Sequence, residues 1–349
     1  MWLTWRQYRV PIVVASVGLV ALALVLVITG PSLVHLYNST VAHCKVQNDC
    51  SSARASFLQN DASLLAWLGA IVTVAPGLMG VFWGAPLIAR ELETGTYRLA
   101  WTQSVTRMRW LALKLAVVGV ASMVVAGLLS LMVTWWASPL DQVTMNPFGS
   151  FAQRDIVPIA YAAFALALGV TTGVLIRRTV PAMAATVVGF TAARVAVLEW
   201  VRPNLAAPMH LTASDSFYIN LLPPAGNLNP RDWVTSNETL NGAGKVIGQN
   251  GMVGNGINVT LKGHRMIIAG VGSCPNVTVP VPAVPAEGPG KAGHLLVQQC
   301  LDKLGVHDLL SYQPISRYWA FQWYEFAIFL ALTVIMVGLC FWLVRRHLA

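Results

Sequence analysis

Three groups of residues in this chain have types and spacings that could do chemistry. The first is the stretch GAPLIARELETGTYRLAWTQSVTRMRW from Gly84 to Trp110, where Arg90, Glu91, Glu93 and Arg98 stand among small and aromatic residues. The second is a set of ionisable residues within or beside long apolar runs: Lys114, Arg194, Glu199 and Glu325. A charge at the centre of a bilayer costs roughly 3 kcal/mol on insertion scales, so each is a functional candidate by default. The third is the cysteines. Cys44, Cys50, Cys274 and Cys300 lie in polar segments, and Cys340 lies in an apolar run. Four cysteines allow three pairings, and sequence proximity favours Cys44 with Cys50 and Cys274 with Cys300. Metal ligation with His43 or His294 lacks any CxxC or HxxxH spacing, so no metal site is expected. Hydrolase signatures are also missing, with no G-x-S-x-G elbow and no H-E-x-x-H pair. A phosphate-binding loop needs GxxxxGK[ST]. Gly244-Lys245 and Gly290-Lys291 are the only Gly-Lys pairs, and neither precedes Ser or Thr. The chain is therefore not read as an enzyme, and no cofactor is expected on it.

The elements that must position these residues are membrane spans. The composition is 56% hydrophobic and 11% charged, against about 25% charged in soluble domains. Six runs reach the ~20 apolar residues that a helix needs to cross ~30 Å of hydrocarbon: Val10–Thr29, Ser63–Ile88, Trp110–Trp136, Ile156–Ile176, Thr179–Leu198 and Trp319–Val344. The first run is too long for a secretory signal and reads as a retained anchor. Its preceding segment mixes Trp2, Trp5 and Tyr8 with Arg6 and Arg9, which suits a short interfacial helix. The net charge of +9 does not point to nucleic acid, because the basic residues flank apolar runs instead of forming one stripe. Arg6, Arg9, Arg90, Arg98, Arg107, Arg109, Arg177, Arg178, Arg345 and Arg346 crowd the short segments on one side. The positive-inside rule then puts both termini in the cytoplasm of a multi-pass plasma-membrane protein.

The expected fold is an all-α transmembrane bundle of six helices with a small extracytoplasmic mixed α/β domain between helices 5 and 6. Helices 1 to 5 occupy residues 1–198, with a cytoplasmic loop at 88–110. The outer domain takes 199–318, and helix 6 with its tail takes 319–349. Strand-like runs occur at Lys245–Ile247, Ile257–Leu261 and Met266–Val271, a helical run at His294–Leu304, and a Pro-Val alternation at Val279–Pro285. A domain this small has a modest core, which a Cys274–Cys300 staple would support. Sequons at Asn38, Asn237, Asn258 and Asn276 are too short a pattern to carry a function. In helix 2, Pro76 and Pro86 are candidate kinks, and Gly77, Gly80 and Gly84 form a row that lets another helix approach. Arg194 lies 15 residues along helix 5, about 22 Å up at 1.5 Å per residue, where it could snorkel outward. Glu199 is five positions on, a poor spacing for an intrahelical pair. Lys114 reads as a snorkelling flank and Glu325 as a boundary residue. No Asp or Glu stands at a midplane, unlike the proton relays of coupled carriers.

The 88–110 loop is too patterned for a linker. Gly95 can end a helix in the left-handed conformation, Thr96 can cap a short helix over Tyr97–Gln103, and Ser104 or Thr106 can cap helix 3. In the short helix Tyr97 shares a face with Trp101, and Arg98 with Thr102. The loop resembles that of type-2 ATP-binding-cassette (ABC) exporter permeases of bacteria, which reads R-E-x-E-x-G-T before a short amphipathic helix. The matching residues are Arg90, Glu91, Glu93, Gly95 and Thr96. GVLIRRTVPAMAAT (Gly173–Thr186) is similar to the tight hairpin between helices 4 and 5 of drug-exporter permeases, and YQPISRYWAFQWYE (Tyr312–Glu325) to the entry to their last span.

The resemblance implies that Tyr97–Gln103 is a coupling helix docking on a cytoplasmic ABC ATPase, with Glu91, Glu93, Arg98 and Thr102 making polar contacts to the ATPase or neighbouring spans. ATP and Mg would belong to that partner. It further implies a dimer with a second copy or a paralogue, and export of a hydrophobic or amphiphilic compound, as in multidrug efflux. Arg194 and Glu199 are the candidates for gating or the substrate pathway. The outer domain is larger than simpler members carry. It leaves open a mechanical or signalling subunit acting on a cell-envelope partner, and, further off, an ATPase-independent channel or carrier.

Overall fold

A computed structural model describes residues 2–42, 51–95, 106–138, 147–213, 228–229, 231–249, 259–262, 265–268, 272–274 and 299–347. Six helices among them are long and apolar enough to cross a membrane. Span one is α1 (Trp2–Leu36), ending in a π-helical turn Tyr37–Ala42. Helical backbone runs unbroken from Trp2 into the span, so the aromatic and basic opening forms the first turns of α1 and not a separate interfacial helix. Span two is α2 (Ser51–Met79), a π-helical turn Gly80–Gly84, and α3 (Ala85–Thr94). The widened turn begins four residues after Pro76, which has no N–H to give the helix ladder. Spans three to six are α4 (Arg107–Trp136), α5 (Val157–Ile176), α6 (Thr179–Ala196) and α7 (Tyr318–His347). A π-helical turn Val197–Val201 and a 3-10 turn Arg202–Asn204 extend α6, and a 3-10 segment Pro147–Gln153 precedes α5.

The chain divides into two compact units, Met1–Leu205 with Tyr318–Ala349, and Ala206–Arg317. In the helical unit α5 is the most enclosed span, and small residues let its neighbours close on it. A Cβ on Gly80 would stand 2.4 Å from the Ala165 carbonyl oxygen, and one on Gly169 would stand 2.2 Å from that of Gly80. Gly84 and Gly173 are similarly tight, against Leu166 and Ala85. The glycine row of span two is thus consumed by packing within this chain. Gly77 faces a different neighbour, the Phe190 ring of α6. Buried apolar clusters join spans one to four through Leu26, Leu68, Leu129, Trp136 and Ala162, and join α3, α4, α5 and α7 through Ile88, Leu111, Val170 and Val344.

The second unit follows α6 and precedes α7 in the chain. Its strands are β1 (Met209–Ala213), β2 (Trp233–Leu240), β3 (Val246–Gln249), β4 (Val259–Lys262), β5 (Arg265–Ile268), β6 (Gly272–Cys274) and β7 (His307–Gln313). They form a four-stranded sheet ordered β1-β7-β2-β3 and a three-stranded sheet β4-β5-β6, with antiparallel pairing throughout. The runs expected near β3, β4 and β5 are strands. β1, β2, β6 and β7 were not expected; of these, β2 and β7 carry polar residues that the sheet buries. Asn237, Thr239, Asp308 and Gln313 are all buried. Thr239 donates to Asp308 at 2.6 Å, and burial raises the Asp308 pKa against the lowering effect of that bond. Cys274 and Cys300 form the expected disulfide, with Cα atoms 5.8 Å apart. Cys44 and Cys50 lie outside the described residues. Cys340 is a buried free thiol.

Candidate functional site

The candidate loop leaves span two through α3. Gly95 ends α3 in the left-handed conformation, φ 71°, which costs a glycine little. Span three starts at Thr106, whose hydroxyl accepts from the Arg109 N–H at 3.4 Å, one of the two caps the sequence offered. Between these ends, Thr96, Tyr97, Arg98, Trp101 and Thr102 lie outside the described residues.

The stem of the loop is fastened to its neighbours. Glu91 accepts from Lys114 of α4 at 2.5 Å, with side-chain exposures of 15% and 7%. The Lys114 ammonium also sits 4.3 Å from the Trp110 ring centroid. Lys114 is therefore no snorkelling flank but a buried cation held by a carboxylate. Glu93 accepts from both the N–H and the hydroxyl of Thr179, at 3.2 and 2.7 Å. Thr179 opens α6, and the first N–H groups of a helix have no partner within it. Glu93 thus caps span five from span two, with the negative charge at the positive end of the helix dipole. Arg90, one turn before Thr94, gives its carbonyl to the Thr94 hydroxyl at 2.8 Å. Nearby, Arg177 takes a left-handed φ of 57° that closes the tight turn from α5 into α6.

A second polar cluster lies toward the other ends of α5, α6 and α7. Glu325 is 1% exposed. It receives two parallel hydrogen bonds from Arg202, at 2.8 and 2.9 Å, and a third from the Tyr161 hydroxyl. The fork-to-fork geometry makes this a strong charge-assisted pair. The Arg202 guanidinium also stacks 4.5 Å from the Phe151 ring. One turn before Glu325 on α7, Gln322 donates to the Phe151 carbonyl and to the Tyr318 hydroxyl, which in turn donates to Asp155 at 2.6 Å. Glu325 is thus not a boundary residue but the centre of a buried network. Arg202, Tyr161, Gln322 and Asp155 escaped the sequence reading. The sequence separation of 123 between Arg202 and Glu325 leaves no local spacing to betray the pair, and the one hint was a charge of each sign beside an apolar run.

Arg194 stands apart. Its guanidinium lies 4.0 Å from the Tyr161 ring centroid, and Nη1 is 3.5 Å from the Thr73 carbonyl. The side chain packs inward across α5 and α2 instead of snorkelling along its own helix. Glu199 is exposed in the π-helical turn after α6. Arg194 also borders a partly open groove of about 360 Å³ between spans two and five, lined mostly by apolar side chains with Thr73 and Thr191 among them.

Six membrane-spanning helices, charges paired across spans, and a loop rooted in three of them define a multi-pass membrane protein whose spans are linked through polar contacts. The family model for ABC-2 membrane transporter related proteins matches residues 16–202. The chain belongs to that family. No curated protein and no solved structure matches it.

Proposed function

We propose that this chain is the permease subunit of an ATP-driven exporter. ATP and Mg would be bound and hydrolysed on separate cytoplasmic ATPase subunits, since the sequence carries no phosphate-binding loop. Both termini and the 88–110 loop face the cytoplasm in this reading, and residues 199–318 face outward. The permease pairs with a second copy or a paralogue and moves a hydrophobic or amphiphilic compound out of the cell.

The observation that supports this most is the rooting of the loop. Force applied beyond Gly95 reaches span three through Glu91–Lys114 and span five through Glu93–Thr179. It reaches span four through the Gly80–Gly169 contact. A solvated connector would need none of these ties. The test is purification of the full chain from its native membrane, followed by replacement of Tyr97 and Trp101 with Ala. A nucleotide-binding subunit should accompany the wild-type chain and be lost from the double variant. Absence of any such subunit, or unchanged assembly and substrate-stimulated hydrolysis in the variant, rejects the proposal.

The separate sheet unit favours a second reading, a mechanical subunit in which Ala206–Arg317 acts on a cell-envelope partner. Transport into inside-out vesicles by a chain lacking residues 206–317 separates the two, because export would survive the deletion and mechanical action would not.

A further inference from the structure

The cavity between α2 and α6 holds a cation that no described carboxylate answers. Its walls are Thr73, Gly77 and Val81 on span two and Val187, Phe190 and Leu198 on span five, with the half-buried Arg194 among them. A guanidinium has five N–H donors. Among the described residues, Arg194 makes one hydrogen bond, at the 3.5 Å limit of such contacts. The Tyr161 ring covers one face of the guanidinium and offers cation-π attraction, while its hydroxyl is engaged with Glu325. Arg202, eight residues on, shows what the same group looks like when satisfied: two bonds to one carboxylate. Glu199, the nearest acid along the chain, does not line the cavity.

We propose that this cavity binds a single-chain amphiphilic carboxylate, its head paired with Arg194 and its tail along the apolar walls. The planar fork of N–H groups matches a carboxylate in bidentate fashion. The volume of about 360 Å³ lies at the small end of the roughly 300–1,000 Å³ of small-molecule sites, and the groove is partly open, so a single chain can lie along it with its head at Arg194. The proposal rests on the permease reading for its purpose, because it names the class of compound carried. Binding itself requires no ATPase.

The test uses the full chain in phosphatidylcholine nanodiscs and measures saturable binding of radiolabelled dodecanoate. Arg194→Gln should weaken binding about tenfold or more, because a charge-assisted pair is lost, whereas Arg194→Lys should retain part of it. Val187→Trp, which fills the cavity and leaves the charge untouched, should abolish binding. Dodecanol and dodecyltrimethylammonium should compete poorly. Unaltered melting of each variant confirms that the loss is local. The proposal is overturned if dodecanoate does not bind, if dodecanol competes equally, or if both Arg194→Gln and Val187→Trp bind as wild type. It is equally overturned if Arg194→Gln changes only the oligomeric state, which would make a second copy the source of the anion, or only the retained phospholipid. Failure here leaves the permease reading to its own co-purification test, and the reverse also holds.

Discussion

Replacing Glu325 with Gln removes one negative charge from a site that excludes water and keeps the shape nearly constant. The wild-type carboxylate is 1% exposed and takes three hydrogen bonds, two of them from Arg202, whose side chain is 6% exposed. The variant amide offers one acceptor oxygen where two stood, and turns an N–H donor toward guanidinium or phenol donors. Arg202 stays charged and loses its counter-ion, so the loss is expected in the range of about 3–5 kcal/mol for breaking one side of a buried pair. Scaled from domains of 150–250 residues, roughly 2–4 °C per kcal/mol gives a melting drop of about 6–20 °C. Tryptophan fluorescence during heating in nanodiscs would read it, because Trp319 and Trp323 lie on the same helix as Glu325. The Glu325→Gln/Arg202→Gln double variant should lose less than the sum of the two single losses, since neither charge then remains alone. A single variant melting within 2 °C of wild type, or a double variant whose loss equals the sum, would refute the assignment of Arg202–Glu325 as a lock between spans five and six.

Three other outcomes follow from packing and ionisation. Gly169→Ala should destabilise the helical unit by at least about 1–3 kcal/mol, the usual scale of overpacking, because its new methyl meets the Gly80 carbonyl oxygen at 2.2 Å. Gly18→Ala, with nothing within 4 Å, should show no such loss in the same melting series. Reducing Cys274–Cys300, which closes a separation of 26 residues, should cost the sheet unit about 3.5 kcal/mol in the chain-entropy model; hydrogen exchange over β6 and residues 299–303 should report it, and unchanged exchange would remove the staple from the account. The raised pKa of Asp308 means that the folded state holds its proton more tightly than the unfolded chain. Its contribution is therefore full below the unfolded value of about 3.9 and is lost as pH rises through the folded value. Asp308→Asn should flatten this fall in a pH series of thermal unfolding, and an unchanged slope would exclude Asp308 as its source.

The spans were legible in the sequence because the requirement is local: ~20 apolar residues must satisfy their own backbone bonds in lipid, and each run meets it without help from another. The stop at Gly95, the cap at Thr106 and the turn at Arg177 and Arg178 are local too, each decided within one helical turn. The strands β3, β4 and β5 were readable from short apolar runs, whereas β2 and β7 were hidden because several of their buried positions are polar, Asn237 and Thr239 on β2 and Asp308 and Gln313 on β7, and only the sheet brings Thr239 to Asp308.

What only tertiary structure decided is which charge meets which. By sequence, Lys114, Glu325 and Arg194 were three similar cases of an ionisable residue near a membrane boundary. Folding gives Lys114 a carboxylate from 23 residues away and Glu325 a guanidinium from 123 residues away. It gives Arg194 an aromatic face and a cavity. The sequence determines that such groups must find partners, since a lone charge in hydrocarbon is costly. It does not determine the partners, because these depend on how close the glycines of spans two and four allow the helices to come, and on the rotation each helix then adopts about α5.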